Sequence, residues 1–402
     1  SIELAGLFVN YIFHTKSKID FCEIACYTLI KYFRKAGGNM AQTVQERIFQ
    51  LMRGGQVITR QDIGEKLSLS MPTVLQNVTQ LMEANILEEC GAAQSSGGRK
   101  AKRLRLCPEA GQVLGINIGL QQIQFVTADL LGNLRQAASV SLPFRDALDW
   151  YPQFQTALLD FFRQARVAPG QILGAGVSFP GIIDSRKNQV VRSHIFGVEH
   201  MGLERFQRVL PCPAVFGNDA NCACFTERDA RRSSYVYLSL NESVGGAVML
   251  NGTLWMGDTF QAGELGHMIL VPGGRRCYCG KQGCADAYLS PQALERDGWE
   301  VYLEHLAVFI TNLRMLLNLD LVIGGQVGIK IRPRMEVLTA KAAQYDRFAR
   351  DVNYIFPCIQ QEYACALGAA GLAMEQLGAD LLRRAKTLRS TEKNQRPPLG
   401  LY

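Results

Sequence analysis

Apolar and polar positions change rhythm along the chain, and the change separates an all-helical start from a longer mixed region. After Thr43, Val44, Ile48, Leu51 and Met52 recur at helical spacing, and Thr59 with Asp62 forms an N-terminal cap for a second helix running to Leu67. Ser70 and Pro72 open a third helix, with Val74, Val78, Leu81 and Met82 on one face and Thr73, Gln76, Asn77 and Gln80 on another. Beyond residue 112 the runs are longer and mixed. Residues 114–134 read as two apolar strands joined by a turn, 150–166 as an amphipathic helix, and 173–184 as a buried strand entering a Pro-Gly turn. An apolar strand over 214–216 leads into a helix over 220–228, and 235–254 forms a pair of strands around Asn241, Glu242 and Ser243. An Ala- and Gly-rich helix is expected over 363–377, and the residues after Arg383 are expected to fray.

The early helices change meaning once charge is placed on them. A small-residue loop over 91–98 is followed by Arg99, Lys100, Lys102, Arg103 and Arg105, with no acid among them. Two short strands flanking such a loop make a wing beside a helix-turn-helix. Double-stranded DNA is then the expected partner. Ser70, Thr73, Gln76 and Asn77 would face base edges in the major groove, where Asn and Gln pair naturally with adenine. Arg99, Lys100, Lys102 and Arg103 would meet phosphates or a narrow minor groove.

The chain's 402 residues exceed one ordinary core, so two or three domains are expected. Net charge is only +7, so its placement matters more than its size. No uncharged apolar run reaches the roughly 18 to 20 residues that a membrane span needs. Twelve cysteines on so long a chain, three of them in one motif, fit a reducing cytoplasm better than a disulfide framework. Residues 1–39 read as a leader preceding a natural start at Met40. The alternative is an amphipathic helix carrying Phe21, Ile24, Leu29 and Phe33.

The densest chemistry lies in residues 263–290. His267, Cys277, Cys279 and Cys284 are four soft or borderline ligands in one short segment, and Gly280 and Gly283 permit the turns that bring them together. One imidazole and three thiolates close a tetrahedral zinc without water, so the expected metal is structural Zn. Glu264 and Asp286 flank the ligands. Carboxylates fixed in this way beside a cleft suit bidentate hydrogen bonding to paired sugar hydroxyls.

The arrangement Glu-x-Gly-His followed by Cys-x-Cys-Gly-x-x-Gly-Cys-x-acid resembles the signature of the ROK family, which contains bacterial sugar kinases and sugar-responsive repressors. The family pattern ends in Glu where this chain has Asp286. Asn218 and Asp219 resemble the family's Asn-Asp motif, in which Asp is the kinase base and Asn binds a neighbouring hydroxyl. An Asx turn capping the following helix would use the same two residues. The resemblance extends from Thr43 to about Leu377, and the Gly-Gly-Arg of the wing is similar to that of the family's repressors.

Three places depart from the kinase pattern. Asn117, Leu120 and Gln121 stand where the kinases have Asp-x-Gly-Gly-Thr. A neutral Asn supplies no charge to magnesium, and a Leu obstructs close backbone approach to phosphate. Glu242 sits in the second phosphate loop, where it would repel a triphosphate. Gln326 replaces the third glycine of the adenosine-side turn. The segment between Leu289 and Leu303 is also shorter than in the family by a couple of dozen residues.

The resemblance therefore implies an α/β chain with an N-terminal winged helix-turn-helix followed by a two-lobed, actin-like (ribonuclease H-like) fold with a structural zinc site. The expected divisions are a winged helix over 41–107, a first lobe over 112–217 plus 361–385, and a second over 218–360. The implied function is sugar-responsive repression of carbohydrate genes by a homodimer or homotetramer on operator DNA, without catalysis. Asn218, Asp219, Glu264, His267 and Asp286 would bind the sugar, with His267 shared with zinc. The competing readings are an ATP-dependent hexose kinase using Asp219 as base and a DNA-binding protein whose sensor is degenerate.

Overall fold

This computed structural model describes residues 42–53, 55–92, 101–228, 232–348, 351–360 and 362–395. The expected leader, Met40 and the wing residues Arg99 and Lys100 lie outside the described residues. Contacts divide the chain after Arg47, and, apart from residues 42–47, the segments discussed below belong to the unit beginning at Ile48.

The first module is α1 (Val44–Leu51), β1 (Ile58–Thr59), α2 (Arg60–Leu67), α3 (Met71–Glu83), β2 (Leu87–Ala92) and β3 (Lys102–Leu106), with a small antiparallel sheet in the order β1-β3-β2. Its core takes in most of the apolar positions read from the periodicity, with Val44, Leu51 and Met82 only half-buried. Ile48, Met52, Ile63, Val74, Val78 and Leu81 are fully buried with Leu104 and Leu106. The cap on α2 is reciprocal: Asp62 N donates to Thr59 Oγ1 (3.2 Å), and Thr59 N donates to Asp62 Oδ2 (2.7 Å). That bond, with the Thr59 hydroxyl, holds the Asp62 carboxyl below the usual range.

The second part has two five-stranded sheets. One contains β4 (Gln112–Ile118), β5 (Ile123–Asp129), β6 (Leu134–Val140), β7 (Ile172–Ser178) and β11 (Ala214–Gly217), ordered β11-β7-β4-β5-β6. A side sheet of β8 (Ile182–Asp184), β9 (Gln189–Ser193) and β10 (Val198–Gly202) extends from it. Helix α4 (Trp150–Ala165) covers one face, burying Trp150, Phe154 and Phe161 against Phe125 and Phe206. The other five-stranded sheet joins β12 (Tyr235–Leu240), β13 (Val244–Leu250), β14 (Thr253–Leu254), β15 (Asp320–Gly324) and β16 (Ile355–Pro357), ordered β14-β13-β12-β15-β16.

Helix α5 (Asp219–Phe225) and, near the end of the chain, a helix over Ala364–Gln376 pack between these layers. The latter lies almost backbone to backbone on the first sheet. A Cβ on Gly115 would sit 2.0 Å from Ala366 O, and one on Gly176 only 1.8 Å from Ala369 O.

One expectation changes. The tail after Arg383 does not fray there: a final helix runs over Gly378–Gln395. Leu381, Leu382 and Ala385 are buried, and Leu381 reaches the β7 backbone at Gly174, so apolar spacing outweighs the basic composition. The segment after Leu289 continues as Pro291–Leu317, two helical pieces joined at Gly298 (φ 73°, ψ 170°). Only glycine adopts that backbone without strain. Asp297, just before the joint, takes a bidentate ion pair from Arg275 at 2.6 and 2.9 Å.

Replacing Gly176 with Ala should push the overlying helix off the sheet. The expected cost is about 3 kcal/mol in urea unfolding, and an unchanged midpoint would show that the helix has room to move.

Candidate functional site

Asn218 caps α5, its Oδ1 accepting from Ala220 N (2.9 Å) and Asn221 N (3.2 Å) while its Nδ2 donates to Gly181 O (3.0 Å). The Asx-turn role is therefore realised, and it aims the next residue, Asp219, into a cavity of about 310 Å³ between the sheets. Asn218, Asp219, Glu264 and His267 all line this cavity. Burial raises the Asp219 carboxyl above its usual range, against hydrogen bonds from the Ala220 and Asp219 amides and the Asn218 side chain. Burial, then the charge of Asp219, raises Glu264. The cavity thus offers two acceptor-rich carboxyl groups near each other, a hydroxyl-binding arrangement.

Asp286 is the exception. It does not line the cavity; its Oδ1 accepts from Val244 N at 2.6 Å, and only 6% of the residue is exposed. Where the family has Glu, the shorter Asp stops at the β13 backbone. It braces the turn at Ser243 and Val244, which do line the cavity. Of the five expected sugar-binding residues, Asp286 alone stands behind the cavity wall rather than on it.

The sequence reading also missed lining groups. Asn221, one helical turn after Asn218, is 5% exposed, and its Oδ1 has no partner although it borders the cavity. Arg192, His194 and Tyr278 also line the wall. The i, i+3 spacing of Asn218 and Asn221 was a usable signal, whereas Arg192 and His194 arrive from the side sheet and carried none.

The four predicted ligands converge. His267, Cys277, Cys279 and Cys284 present ligand atoms all within 4.8 Å of one another. Cys277 Sγ lies 3.8 Å from His267 Nδ1, and Cys279 Sγ lies 3.7 Å from Cys284 Sγ. Thiolate bonds of about 2.3 Å to a tetrahedral metal separate the sulfurs by about 3.8 Å, so the cluster fits a four-coordinate ion. His267 Nε2, on the other ring edge, faces Tyr278 Oη at 3.4 Å. The histidine therefore links the cluster to the cavity wall.

The departures from the kinase pattern meet in a second cleft of about 560 Å³. Asn117, Leu120, Gln121, Glu242 and Gln326 line it together, and Asp219 borders both spaces. Asn117 is tied into the sheet, accepting from Ser178 Oγ (3.0 Å) and donating to Gln124 Oε1 (3.2 Å). Leu120 is 44% exposed at the mouth. Among the described lining residues there are three acids, Asp219, Glu242 and Glu362, and no Lys, Arg or His.

In the first module Gln76 is exposed on α3, while Thr73 and Asn77 are half-buried. Ser70 and Thr73 share a hydrogen bond between their hydroxyls (2.8 Å), and Asn77 Nδ2 donates back to Thr73 O (2.8 Å). Lys102 pairs with Glu89 (2.6 Å) and Arg105 with Glu88 (2.7 Å), so acids on β2 offset part of the basic run. Arg103 remains exposed. This module meets the sheets through Arg53, which donates to the carbonyls of Met374 and Glu375 at the end of the helix Ala364–Gln376 and pairs with the Glu375 carboxylate (3.7 Å). Arg228 holds the same carboxylate at 3.2 Å.

Two mixed five-stranded sheets thus carry a cavity and a neighbouring cleft that share Asp219. Residues 113–299 match the ROK family model. The chain is 28% identical over 246 residues to the xylose repressor of Bacillus subtilis (strain 168), covering 59% of this chain and 63% of that protein. It is 23% identical over 246 residues to the DNA-binding transcriptional dual regulator NagC of Escherichia coli (strain K12), covering 60% of each. The matched part thus spans less than two thirds of the length of these curated relatives. A solved ROK family transcriptional regulator, a homologue of the Escherichia coli MLC protein, shares the fold at TM-score 0.69 and 19% identity, over 85% of this chain and 98% of that one. The ROK hexokinase from Thermus thermophilus does so at 0.55 and 24%, over 64% and 96%.

Two predictions follow from this geometry. A raised carboxyl holds its proton to higher pH in the folded chain than in the unfolded one, so stability is lost as pH rises from the ordinary carboxylate range through the raised one. Glu264→Gln should therefore melt above the parent at neutral pH, with the gap closing as pH falls into the ordinary carboxylate range; a constant gap would contradict the assignment. Separately, stripping metal with a chelator, or Cys277→Ser, should lower the melting temperature by roughly 5–10 °C. Mass spectrometry of the native protein should find one metal ion per chain, absent from Cys277→Ser.

Proposed function

We propose that this protein is a sugar-responsive transcriptional repressor of carbohydrate-utilisation genes. The observation that carries the reading is the contrast between the two spaces that share Asp219. The hydroxyl-binding cavity keeps Asn218, Asp219, Glu264 and His267, while the adjoining cleft is acidic, has no cation among its described lining residues, and carries Leu120 on its wall. Such a chain binds sugar without transferring phosphate. The named repressors among its relatives support the same direction.

In this reading the first module is a winged helix. Gln76, with Ser70 and Thr73, faces bases; Arg103 and Lys102, with Arg99 and Lys100 of the wing, contact phosphates. A homodimer or homotetramer places two such modules on a roughly palindromic operator. The metal is zinc, since three thiolates and one imidazole leave no open position for catalysis. It fixes His267 and, through the short turn Leu265–His267, the position of Glu264 at the head of that turn. The absence, among the described residues, of any helix long and apolar enough to cross a membrane agrees with a cytoplasmic regulator.

The coupling route is the helix Ala364–Gln376. It packs on α5, where a Cβ on Gly368 would come 1.7 Å from Cys222 O, and its last carbonyls hold Arg53. A sugar drawn onto Asp219 shifts α5, and the overlying helix passes that shift to the first module. The operator complex is weakened in proportion to the difference in sugar affinity between the two arrangements.

A kinase reading draws on the retained Asp219 and on the hexokinase fold similarity. Against it, no described residue of the cleft supplies a cation for a triphosphate.

The test is binding to the DNA upstream of the gene, titrated with hexoses, pentoses and N-acetylhexosamines. One sugar should release the DNA, and Glu264→Gln should bind DNA but fail to respond; DNA binding indifferent to every sugar would overturn the sensor reading. Arg53→Ala should retain DNA binding while reducing the sugar response about tenfold or more, as expected when a coupling of ~1–3 kcal/mol is cut.

A further inference from the structure

The cleft beside the cavity is too large and too well furnished to be only a lost nucleotide site. Its volume of about 560 Å³ exceeds that of the cavity itself, and the two spaces share Pro180, Ile195, Asp219 and Ser243 along a common border. A hydroxyl hydrogen-bonded to Asp219 therefore sits at the junction. A sugar seated there has the cleft open beside it, so a substituent on a ring atom next to that hydroxyl has room to extend into the cleft.

The furnishing is carboxamide. Gln121, Gln122 and Gln326 line the cleft with side chains that make no hydrogen bond among the described residues. Each offers one acceptor and two donors, which match the adjacent hydroxyls of a sugar ring. Leu120 and Tyr363 add apolar surface of the kind a ring face packs against. The electrostatics exclude an anion, because Glu242 and Glu362 face the space and no described lining residue is cationic.

We propose that this cleft is a second carbohydrate subsite, so that the effector is a neutral, disaccharide-sized glycoside spanning Asp219 rather than a free monosaccharide or a sugar phosphate. The inference rests on the reading of the first cavity as a sugar site. It adds the substrate class: one ring lies against Asp219 and Glu264, and the next against Gln122 and Gln326.

Calorimetric titration of the intact protein separates the two claims. The probes are glucose, xylose and N-acetylglucosamine, the disaccharides cellobiose, maltose, isomaltose, gentiobiose and xylobiose, and glucose 6-phosphate. At least one disaccharide should bind ~10-fold or more tightly than its parent monosaccharide, since two or three added hydrogen bonds supply that factor. Glucose 6-phosphate should bind more weakly than glucose. The double variant Gln122→Ala/Gln326→Ala should return the disaccharide to the affinity of the monosaccharide and leave the monosaccharide unchanged.

If monosaccharides bind, lose affinity in Glu264→Gln, and are matched by every disaccharide, the second subsite is wrong and the first cavity stands. A disaccharide advantage that survives the double variant, or tighter binding of glucose 6-phosphate, overturns the subsite in the same way. Absence of binding by every sugar overturns both readings together.

Discussion

The close approach of one helix to one sheet organises the molecule. The backbone of Ala364–Gln376 comes so near the first sheet that Gly115 and Gly176 have no room for a Cβ, and α5 comes as near to Gly368. Interiors packed this tightly do not deform gradually; they shift between discrete arrangements. The same helix begins beside the large cleft at Tyr363 and ends on Arg53 of the first module. Its position is therefore felt at the acidic cleft, at the capped turn that presents Asp219, and at the only described contacts through which Arg53 joins the sheets. A ligand that moves α5 has a short mechanical path to the first module.

The relationship between the cavity and the cleft follows from where each gets its residues. The cavity is built by α5 and the metal-ligand segment, whose geometry is fixed locally, by the Asx cap at Asn218 and by the convergence of four ligands. The cleft is built from strand turns at residues 117–122, 241–243 and 325–326, which can change side chains without disturbing the sheets. Phosphate-binding capacity could thus be lost from the turns while hydroxyl-binding capacity persisted. On the proposed reading, Leu120 and the uncharged Asn117 withhold the backbone cradle and the charge that a magnesium nucleotide requires.

Much of this was legible in the chain. The three early helices, the capping box at Thr59, the strand pair around Glu242 and the ligand set at His267, Cys277, Cys279 and Cys284 are each signalled by local spacing, and local physics decides them. What was not legible depends on distant partners. Asp286 is drawn away from the cavity by Val244 N, 42 residues earlier in the sequence. The helix over Gly378–Gln395 reads as a basic tail until Leu381 finds β7. Arg53 looks like an ordinary surface cation, yet its acceptors lie more than 300 residues away. The basic run of the wing is partly offset by Glu88 and Glu89 from the facing strand, a pairing set by register rather than by composition.

The central claim is that the hydroxyl-binding cavity works without the nucleotide site beside it. Equilibrium binding of magnesium ATP, measured by calorimetry on the metal-replete protein with and without a bound sugar, tests this most directly, with phosphorus NMR of the same sample following any phosphoryl transfer. The account predicts heat from the sugar, none from the nucleotide, and no sugar phosphate. Saturable nucleotide binding with formation of a sugar phosphate that Asp219→Asn abolishes would contradict it and make the protein a kinase.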